Sequence, residues 1–373
     1  MARHILFVVL LLLPWSAAAF GEDVGQTVDD KVKQRKADML FRLRVKRAIG
    51  KGTHWVAACQ QKDGSFKLEG QNAGGPFPQS RHGFGVAALC TYTLADGGYD
   101  AEHPVIKKAV AYLRKHYKSY FKGDHWPQAS AYSLSLMVLA LHTLYVKPAT
   151  VERANERDRY GARKVDKRNP CGYPKWARQA IDRILDWFMR NQAETGLFRY
   201  PGGFNMGTRP PGGMPGGPPN SHYGDEDLSN TQYVLLALWA GTRCGYDLKA
   251  QQLEKIANRL LAYQEKLGER VLRVEDPKPE TKPTKKGKDG HEYAKPSAPG
   301  DTDDGRPRDR ARGFPYTRKA EITGSMTTAG LSSLVIVKAM MRERGCLSPE
   351  MTKKLDKGIW DAIAWLQVNY SIE

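Results

Sequence analysis

The sequence predicts an all-helical fold, in which pairs of helices repeat along the chain. First, segments with apolar residues on one face alternate with segments that are apolar on all sides. Second, the one-faced segments end in an aromatic residue and a glutamine, followed by a glycine-aromatic turn, as in Gln192 to Phe198. Third, the fully apolar segments are too short to span a bilayer, so protein must surround them. These observations favour a ring of outer and inner helices, and an open helical array is the alternative.

The clearest inner helix follows the acidic turn that ends at Asp227. Ser229 lies three residues before Gln232, which is the spacing of a capping box. Every residue from Tyr233 to Ala240 is apolar or aromatic. Similar inner helices are predicted over Val86 to Leu94, Ala129 to Tyr145 and Ser325 to Met341.

An amphipathic outer helix is predicted before each inner helix. In the third repeat, Ile181, Ile184, Leu185 and Phe188 fall at i, i+3, i+4 and i+7. The last outer helix, Lys354 to Asn369, has no inner helix after it. We therefore expect the ring to be incomplete at its C-terminus. Either the natural gene continues downstream, or self-association or a partner chain closes the gap.

The N-terminus has the pattern of an export signal. Ile5 to Leu13 is an unbroken apolar run, and Ala17 to Ala19 supply small residues for cleavage before Phe20. We expect residues 1–19 to be a signal peptide, 20–42 a mobile leader or frayed helix, and 43–373 the repeat domain. The mature protein is expected to be soluble, in the periplasm or outside the cell.

Three insertions interrupt the repeats. Residues 147–170 are rich in Arg and Lys, 201–221 are dominated by Pro and Gly, and 276–312 are rich in Lys, Pro, Asp and Gly. We expect disorder near 150–168 and across 276–312.

The chain is strongly basic, with 58 Lys and Arg against 40 Asp and Glu, a formal charge of +18. Such a charge suits an anionic partner such as an acidic glycan or lipid head groups. The alternative is that much of the charge lies on surface insertions. Specific nucleic-acid binding is not expected, because no nucleic-acid-binding motif accompanies the charge.

The five cysteines leave at least one unpaired, and the sequence does not decide their pairing. None forms a C-x-x-C pair, so we do not expect a cysteine zinc site. The sequence predicts no cofactor. Cys59, Cys90 and Cys244 fall within or at the ends of predicted helices, where we expect them to pack as small apolar residues.

The inner helices of a ring run parallel, so their N-termini meet on one rim. Polar residues lie at these ends: His82, Ser130, Asp225, Asp227, Ser229, Asn230, Ser325, Thr327 and Thr328. Converging N-termini make a positive, hydrogen-bonding rim over an apolar centre, which suits a ligand with a polar head and an apolar tail. Ordinary capping of each helix is the alternative.

The turns carry a resemblance to a known family. Gln60 to Phe66 and Gln192 to Phe198 resemble the Gln-Trp repeats of squalene and hopene cyclases, with Phe in place of the terminal Trp. Residues 43–372 are similar to the terpenoid cyclase and protein prenyltransferase superfamily. Asp227 to Leu238 and Gly324 to Ile336 resemble its exported bacterial prenyltransferase/squalene-oxidase repeat proteins. The resemblance implies an α/α toroid, a fold that hosts many chemistries.

The resemblance to cyclases also implies a protonating aspartate in a D-x-D-D motif. Asp301 to Asp304 matches literally but lies inside a low-complexity insertion, so we expect it to have no catalytic role. Asp225 and Asp227 are better placed, before an inner helix, and as a pair they could retain a proton. Capping of the helix by Asp227 is the alternative. No Asp-x-Cys of a prenyltransferase zinc site occurs, so no metal is expected.

The leading hypothesis is a squalene-cyclase-like or prenyltransferase-like repeat protein that binds an isoprenoid or other amphipathic ligand. Whether it is an enzyme stays open, and any catalysis would resemble that of a terpene cyclase. The alternatives are a secreted lyase or glycosidase acting on an acidic polysaccharide, and a non-catalytic envelope scaffold. The expected ligand-binding residues are His82, Tyr132, Asn230, Tyr233, Trp239, Ser325, Met326 and Thr327.

Overall fold

A computed structural model of the chain describes residues 28–67, 83–118, 130–146, 171–198, 226–273, 308–317 and 320–369. These residues form nine helices and one pair of short strands, which confirms the all-α class. The helices are α1 (Val28–Ala58), α2 (Gly83–Asp96), α3 (Pro104–His116), α4 (Ser130–Tyr145), α5 (Lys175–Arg190), α6 (Leu228–Arg243), α7 (Ala250–Tyr263), α8 (Gly324–Glu343) and α9 (Pro349–Asn369). The strands are β1 (Arg270–Leu272) and β2 (Arg308–Arg310).

The chain divides into two compact units. The first, Met1–Lys249, contains α1 to α6, and the second, Ala250–Glu373, contains α7 to α9 and both strands. The expected signal peptide, 1–19, and the insertions at 147–170 and 201–221 lie outside the described residues.

The inner helices of the first unit are neighbours. Helix α4 packs against both α2 and α6. Near their starts, the Tyr132 hydroxyl of α4 is hydrogen-bonded to Ser229 Oγ of α6. Near their ends, His142 Nδ1 lies 3.5 Å from Cys244 Sγ. Because the first turns of α4 and α6 are in contact and their last turns are also close, the two helices run parallel.

The outer helices cover these inner helices with one apolar face each. Helix α3 packs on α2, and α5 packs on α4 and α6. On α5, Ile181, Ile184 and Phe188 are at most 2% exposed, at the predicted i, i+3 and i+7 positions. Burying each such side chain contributes about 1.5–3 kcal/mol, so the apolar stripe places the helix.

Helix α1 includes a large part of the predicted leader, residues 20–42. It runs from Val28 to Ala58 without a break, so residues 28–42 belong to the same helix as 43–58. The sequence reason is that neither Gly nor Pro occurs between Val28 and Ile49, while Lys, Arg, Ala, Leu and Met favour a helix. The boundary predicted at residue 42 therefore falls within a continuous helix.

The second unit corrects the prediction of disorder across 276–312. Residues 308–310 form β2, which pairs antiparallel with β1 so that Leu272 faces Arg308. The buried Asp309 accepts hydrogen bonds of 2.7 Å from Nε and Nη2 of Arg273. The prediction is wrong for 308–312 because buried carboxylates hold this end of the insertion, while 274–307 lie outside the described residues.

Asp361 of α9 supplies the second anchor. It is fully buried, and its Oδ1 accepts a hydrogen bond of 2.9 Å from the backbone N–H of Arg310. Its Oδ2 accepts one of 2.7 Å from Arg312 Nε and a second, shorter one from Arg312 Nη2. A buried carboxylate needs such charged and backbone donors, so Asp361 orders the chain from Arg310 to Arg312.

A disulfide joins Cys171, before α5, to Cys244, after α6. The expectation that Cys244 packs as a small apolar residue is therefore wrong. Cys59, Cys90 and Cys346 are free. Cys90 is buried, as expected, and burial raises the pKa of its thiol to about 12.

Within the described segments, the predicted glutamine–phenylalanine turn occurs three times with the same backbone hydrogen bond. In each turn, the residue after the glutamine donates to the carbonyl of the residue before the phenylalanine. The bonds are Gln61 N to Ser65 O at 2.8 Å, Ala193 N to Leu197 O at 2.9 Å, and Glu265 N to Gly313 O at 3.0 Å. The phenylalanines that follow, Phe66, Phe198 and Phe314, are all buried.

A threonine of the inner helix completes two of these turns. The backbone N–H of Phe198 donates to Thr231 Oγ1 of α6, and that of Phe314 donates to Thr327 Oγ1 of α8, both at 3.1 Å. Each threonine lies four residues after its helix N-cap, Asp227 or Thr323. The turn therefore fixes where each inner helix begins.

Candidate ligand-binding face

The first turn of α6 carries a chain of hydrogen-bonded side chains. Ser229 Oγ donates to Asp227 Oδ1 at 2.8 Å. A serine hydroxyl has one proton, so the Tyr132 hydroxyl must be the donor in its short hydrogen bond with Ser229 Oγ. Tyr132, Ser229 and Asp227 are therefore polarised in one direction, from α4 toward the N-cap of α6.

Asp227 is the N-cap of α6 and is 2% exposed. The predicted capping box is therefore wrong, because Ser229 lies inside the first helical turn and is itself capped by Asp227. Asp227 Oδ1 also accepts hydrogen bonds from the backbone N–H of Ser229 at 2.8 Å and of Asn230 at 3.0 Å. Its Oδ2 accepts one from Asn230 Nδ2 at 2.9 Å. Both carboxylate oxygens are thus engaged in capping. Asp225, the other half of the predicted catalytic pair, lies outside the described residues, as do His82 and Asp301 to Asp304.

Two predicted ligand-binding residues meet at this point. The rings of Tyr132 on α4 and Tyr233 on α6 lie edge to face, with centroids 4.9 Å apart and planes at 68°. Both side chains are half-buried. Their contact shows that the accessible stripes of α4 and α6 adjoin.

These stripes form what we call the inner face. On α4, the half-buried Tyr132 and Leu136 are four residues apart, and on α6, Tyr233 and Trp239 are half-buried along a run of otherwise buried residues. On the neighbouring inner helix α2, Leu89 is 46% exposed. The inner face is apolar and aromatic, and the Tyr132–Ser229–Asp227 chain lies at one end of it.

Three buried polar atoms on α4 and α6 have no hydrogen-bond partner among the described residues: Ser135 Oγ, Asn230 Oδ1 and Trp239 Nε1. The Asn230 amide orientation follows from its bond to Asp227, because only the nitrogen can donate there. Leaving such an atom unsatisfied costs about 1–3 kcal/mol.

The guanidinium of Arg243 lies over the Trp239 ring, 4.9 Å from its centroid.

His142 and Tyr173 form a polar pair at the end of α4 that is opposite to Tyr132. His142 Nδ1 is 2.9 Å from the Tyr173 hydroxyl. Burial, with a contribution from the positive charge of Arg243, lowers the pKa of His142 to about 4. Burial raises the pKa of Tyr173. Both groups are therefore neutral near pH 7. Sequence reasoning missed this pair, whose one signal was a histidine within an apolar helix.

The remaining predicted residues belong to α8 in the second unit. Ser325 is exposed and lies 3.2 Å from Thr323 Oγ1, while Met326 is half-buried. Thr327 is fully buried, and its hydroxyl accepts the hydrogen bond from Phe314. Thr327 therefore supports the turn before α8.

The described residues contain no group of three or more His, Cys, Asp or Glu side chains that could hold a metal ion. None of the helices among them combines the length and apolar character needed to cross a membrane.

Comparison with known proteins leaves the geometry as the guide to function. No family model matches the chain, and no curated protein or solved structure shows significant similarity to it.

Proposed function

We propose that this chain is an exported helical-repeat protein that binds an isoprenoid or another amphipathic ligand on its inner face. The observation that carries the proposal is the contact between Tyr132 and Tyr233, which joins two half-buried aromatic and apolar stripes on parallel helices. The parallel inner helices of the first unit, with outer helices packed on them, also support an α/α toroid as the architecture.

The physical chemistry of the inner face matches such a ligand at both ends. An apolar tail along Leu136, Tyr233 and Trp239 gains about 25 cal/mol for each Å² of apolar surface removed from water. A tail that covers about 300 Å² therefore gains about 7–8 kcal/mol before the costs of association. A hydroxyl head at the other end can donate a hydrogen bond to the Tyr132 hydroxyl oxygen, whose own proton is directed at Ser229.

Export is supported by two independent features. The apolar run Ile5 to Leu13 and the small residues at 17–19 have the pattern of a signal peptide. The Cys171–Cys244 disulfide is a bond that persists in oxidising compartments such as the periplasm or the extracellular space. Both favour a mature protein that works outside the cytoplasm.

We propose binding rather than cyclase-like catalysis as the function of the inner face. A protonating acid must present its carboxyl group to the substrate. Asp227 instead directs both oxygens at the donors of its own helix turn. The Asp227 geometry therefore supports a capping role, and the polar end of the inner face supports recognition of a head group.

The test is a binding titration with farnesol, whose long isoprenoid tail is compared with the short tail of isopentanol. We expect farnesol to bind and Trp239→Ala to weaken its binding at least 10-fold. Trp55→Ala is the matched control, because Trp55 is 52% exposed on α1. Tyr132→Phe should weaken farnesol more than the hydrocarbon farnesene, because it removes the hydroxyl at the polar end. Circular dichroism establishes that each variant is folded.

Two results would contradict the proposal. One is equal loss of farnesol binding in Trp239→Ala and Trp55→Ala. The other is the absence of any lipid when the protein is purified from its own host and analysed by native mass spectrometry, together with no farnesol binding in vitro.

A further inference from the structure

A basic groove lies in the first unit, among residues of α3, the end of α4 and the beginning of α5. Its volume is about 510 Å³. Four cations and two aromatic rings line it: Lys107, Arg114, Lys115, Lys118, Tyr145 and Trp176. We call it the basic groove. None of its residues belongs to the inner face.

The cations of the basic groove lie on α3 and just after it. Lys107 and Arg114 are seven residues apart, which is roughly 10 Å along the axis of α3, and Lys118 lies two residues beyond the end of this helix. Lys107 is paired with Glu102 at 2.7 Å, but both side chains are exposed, so this pair is worth little. Among the described residues, Arg114, Lys115 and Lys118 form no ion pair. The groove therefore presents an extended row of positive charge.

The aromatic residues give the basic groove an apolar side. The Arg114 guanidinium lies over the Trp176 ring, 5.4 Å from its centroid, which orients both groups. Trp176 and Tyr145 are half-buried, and Val110 and Ala111 of α3 lie beside them. A ligand with flat C–H faces and regularly spaced anionic groups matches this combination, and a chain of acidic pyranose sugars has both.

We propose that the basic groove binds an acidic glycan. Nucleic acid fits less well, because one strand presents a phosphate about every 3.4 Å, more densely than the cations of α3 are spaced. Carboxylate-bearing sugars carry one charge per ring, and the rings themselves can stack on Trp176 and Tyr145. This second site is independent of the proposed lipid-binding function, since it shares no residue with the inner face.

The experiment is isothermal titration calorimetry with an octamer of galacturonate in 50 mM salt without calcium. Maltooctaose is the uncharged control and a 20-nucleotide single-stranded DNA is the competing polyanion. We expect the uronate to bind, its affinity to fall at least 10-fold at 300 mM salt, and maltooctaose to give no heat of binding. Tighter binding of DNA than of the uronate would overturn the glycan assignment, as would equal binding of maltooctaose.

Variants place the ligand in the basic groove. Arg114→Glu with Lys115→Glu should weaken uronate binding at least 10-fold. The matched control, Lys46→Glu with Arg47→Glu, makes the same change in net charge at exposed positions of α1 and should weaken it less than 3-fold. Trp176→Ala should weaken it at least 5-fold, whereas Trp239→Ala, on the inner face, should leave it unchanged.

Equal weakening by the two charge-reversal pairs would overturn the proposal, because binding would then follow net charge alone. All four altered cations are exposed, so these variants should remain folded, and circular dichroism checks this. Since farnesol binding tests the inner face and uronate binding tests the basic groove, either proposal can fail without the other.

Discussion

The turn after α5 and the turn after α7 make the same hydrogen bonds, but the number of residues between the bonded groups is very different. In the first, Gln192 Nε2 donates to Gly196 O, four residues along the sequence, at 2.6 Å. In the second, Gln264 Nε2 donates to Arg312 O, 48 residues along, at 2.9 Å. Gly196 and Arg312 each lie two residues before the buried phenylalanine of their turn.

The longer turn needs anchors that the shorter turn lacks. Pairing of β1 with β2 and the buried carboxylates Asp309 and Asp361 bring Arg312 back to Gln264. Gln264 Nε2 also donates to Gly358 O of α9 at 2.9 Å. Loop-closure entropy grows slowly with length, so a few buried contacts can offset a long insertion. The repeat is therefore defined by its contacts rather than by its sequence spacing.

The strongest test of equivalence between the two turns is removal of the phenylalanine ring. Phe198→Ala and Phe314→Ala should each lower the free energy of unfolding by about 4 kcal/mol, because a buried aromatic ring is lost and a cavity remains. Denaturant unfolding followed by circular dichroism measures this. Leu267→Ala, at a position 75% exposed, is the control and should cost less than about 0.5 kcal/mol. If one of the two substitutions lowers the free energy of unfolding by less than half as much as the other, the two turns are not equivalent.

Asp361→Asn should separate the turns, because only the longer one depends on this carboxylate. The expected loss of unfolding free energy is about 3 kcal/mol, since Arg312 is left with its charge unpaired in a mostly buried site. Asp356→Asn, on the same helix, is the control: Asp356 is 43% exposed and pairs with Lys338, so its loss should cost less than about 1 kcal/mol. Equal costs would show that the longer turn does not rest on Asp361.

Acid should act on the unit that contains the shorter turn, through His142. The pKa of His142 falls from its ordinary 6.5 to about 4 in the fold. His142 therefore leaves the free energy of unfolding at its full value above pH 6.5. As the pH falls from 6.5 toward 4, this free energy decreases, because His142 binds a proton in the unfolded chain at a higher pH than in the fold. The loss should reach at most about 3 kcal/mol by pH 4. Unfolding of His142→Gln, measured between pH 7.5 and 5, should depend less on pH than that of the unchanged protein. An identical dependence of the unfolding free energy on pH in the two proteins would show that His142 is not the group responsible.

The threonines provide a finer comparison of the two turns. Thr231→Val and Thr327→Val should each cost about 1–2 kcal/mol, because the buried N–H of Phe198 or Phe314 loses its acceptor. Thr352→Val, where the hydroxyl bonds a carbonyl of its own exposed helix turn, is the control and should cost less than about 0.5 kcal/mol. A negligible effect at Thr327 alone would show that the longer turn holds Phe314 by other contacts.

Shortening the insertion should have the smallest effect. Residues 276–306 can be replaced by an eight-residue Gly/Ser linker, because the strand ends that it joins are paired at Leu272 and Arg308. We expect unfolding free energy to change by less than about 1 kcal/mol, since each doubling of loop length costs only about 0.6 kcal/mol. A loss above 2 kcal/mol would show that the insertion itself contributes stabilising contacts.

Part of the inner face follows from local pattern. The sequence predicts Tyr132, Tyr233 and Trp239 as ligand-binding residues, and the structure brings the rings of the two tyrosines into contact. Local pattern did not reveal Thr231 and Thr327 as supports of the turns, because their partners, Phe198 and Phe314, precede the inner helices in a separate loop. The basic groove was also missed, since Trp176 and the cations of α3 lie on different helices.

By itself, the sequence determined the helix types and the glutamine–phenylalanine turns. Each depends on interactions between residues a few positions apart, where periodicity and side-chain chemistry act directly. Only the tertiary structure decided that Cys171 pairs with Cys244, 73 residues away, and that Asp361 orders Arg310 to Arg312. A buried carboxylate must find donors, but any Arg or backbone N–H that the fold brings near can supply them, so no local pattern specifies which.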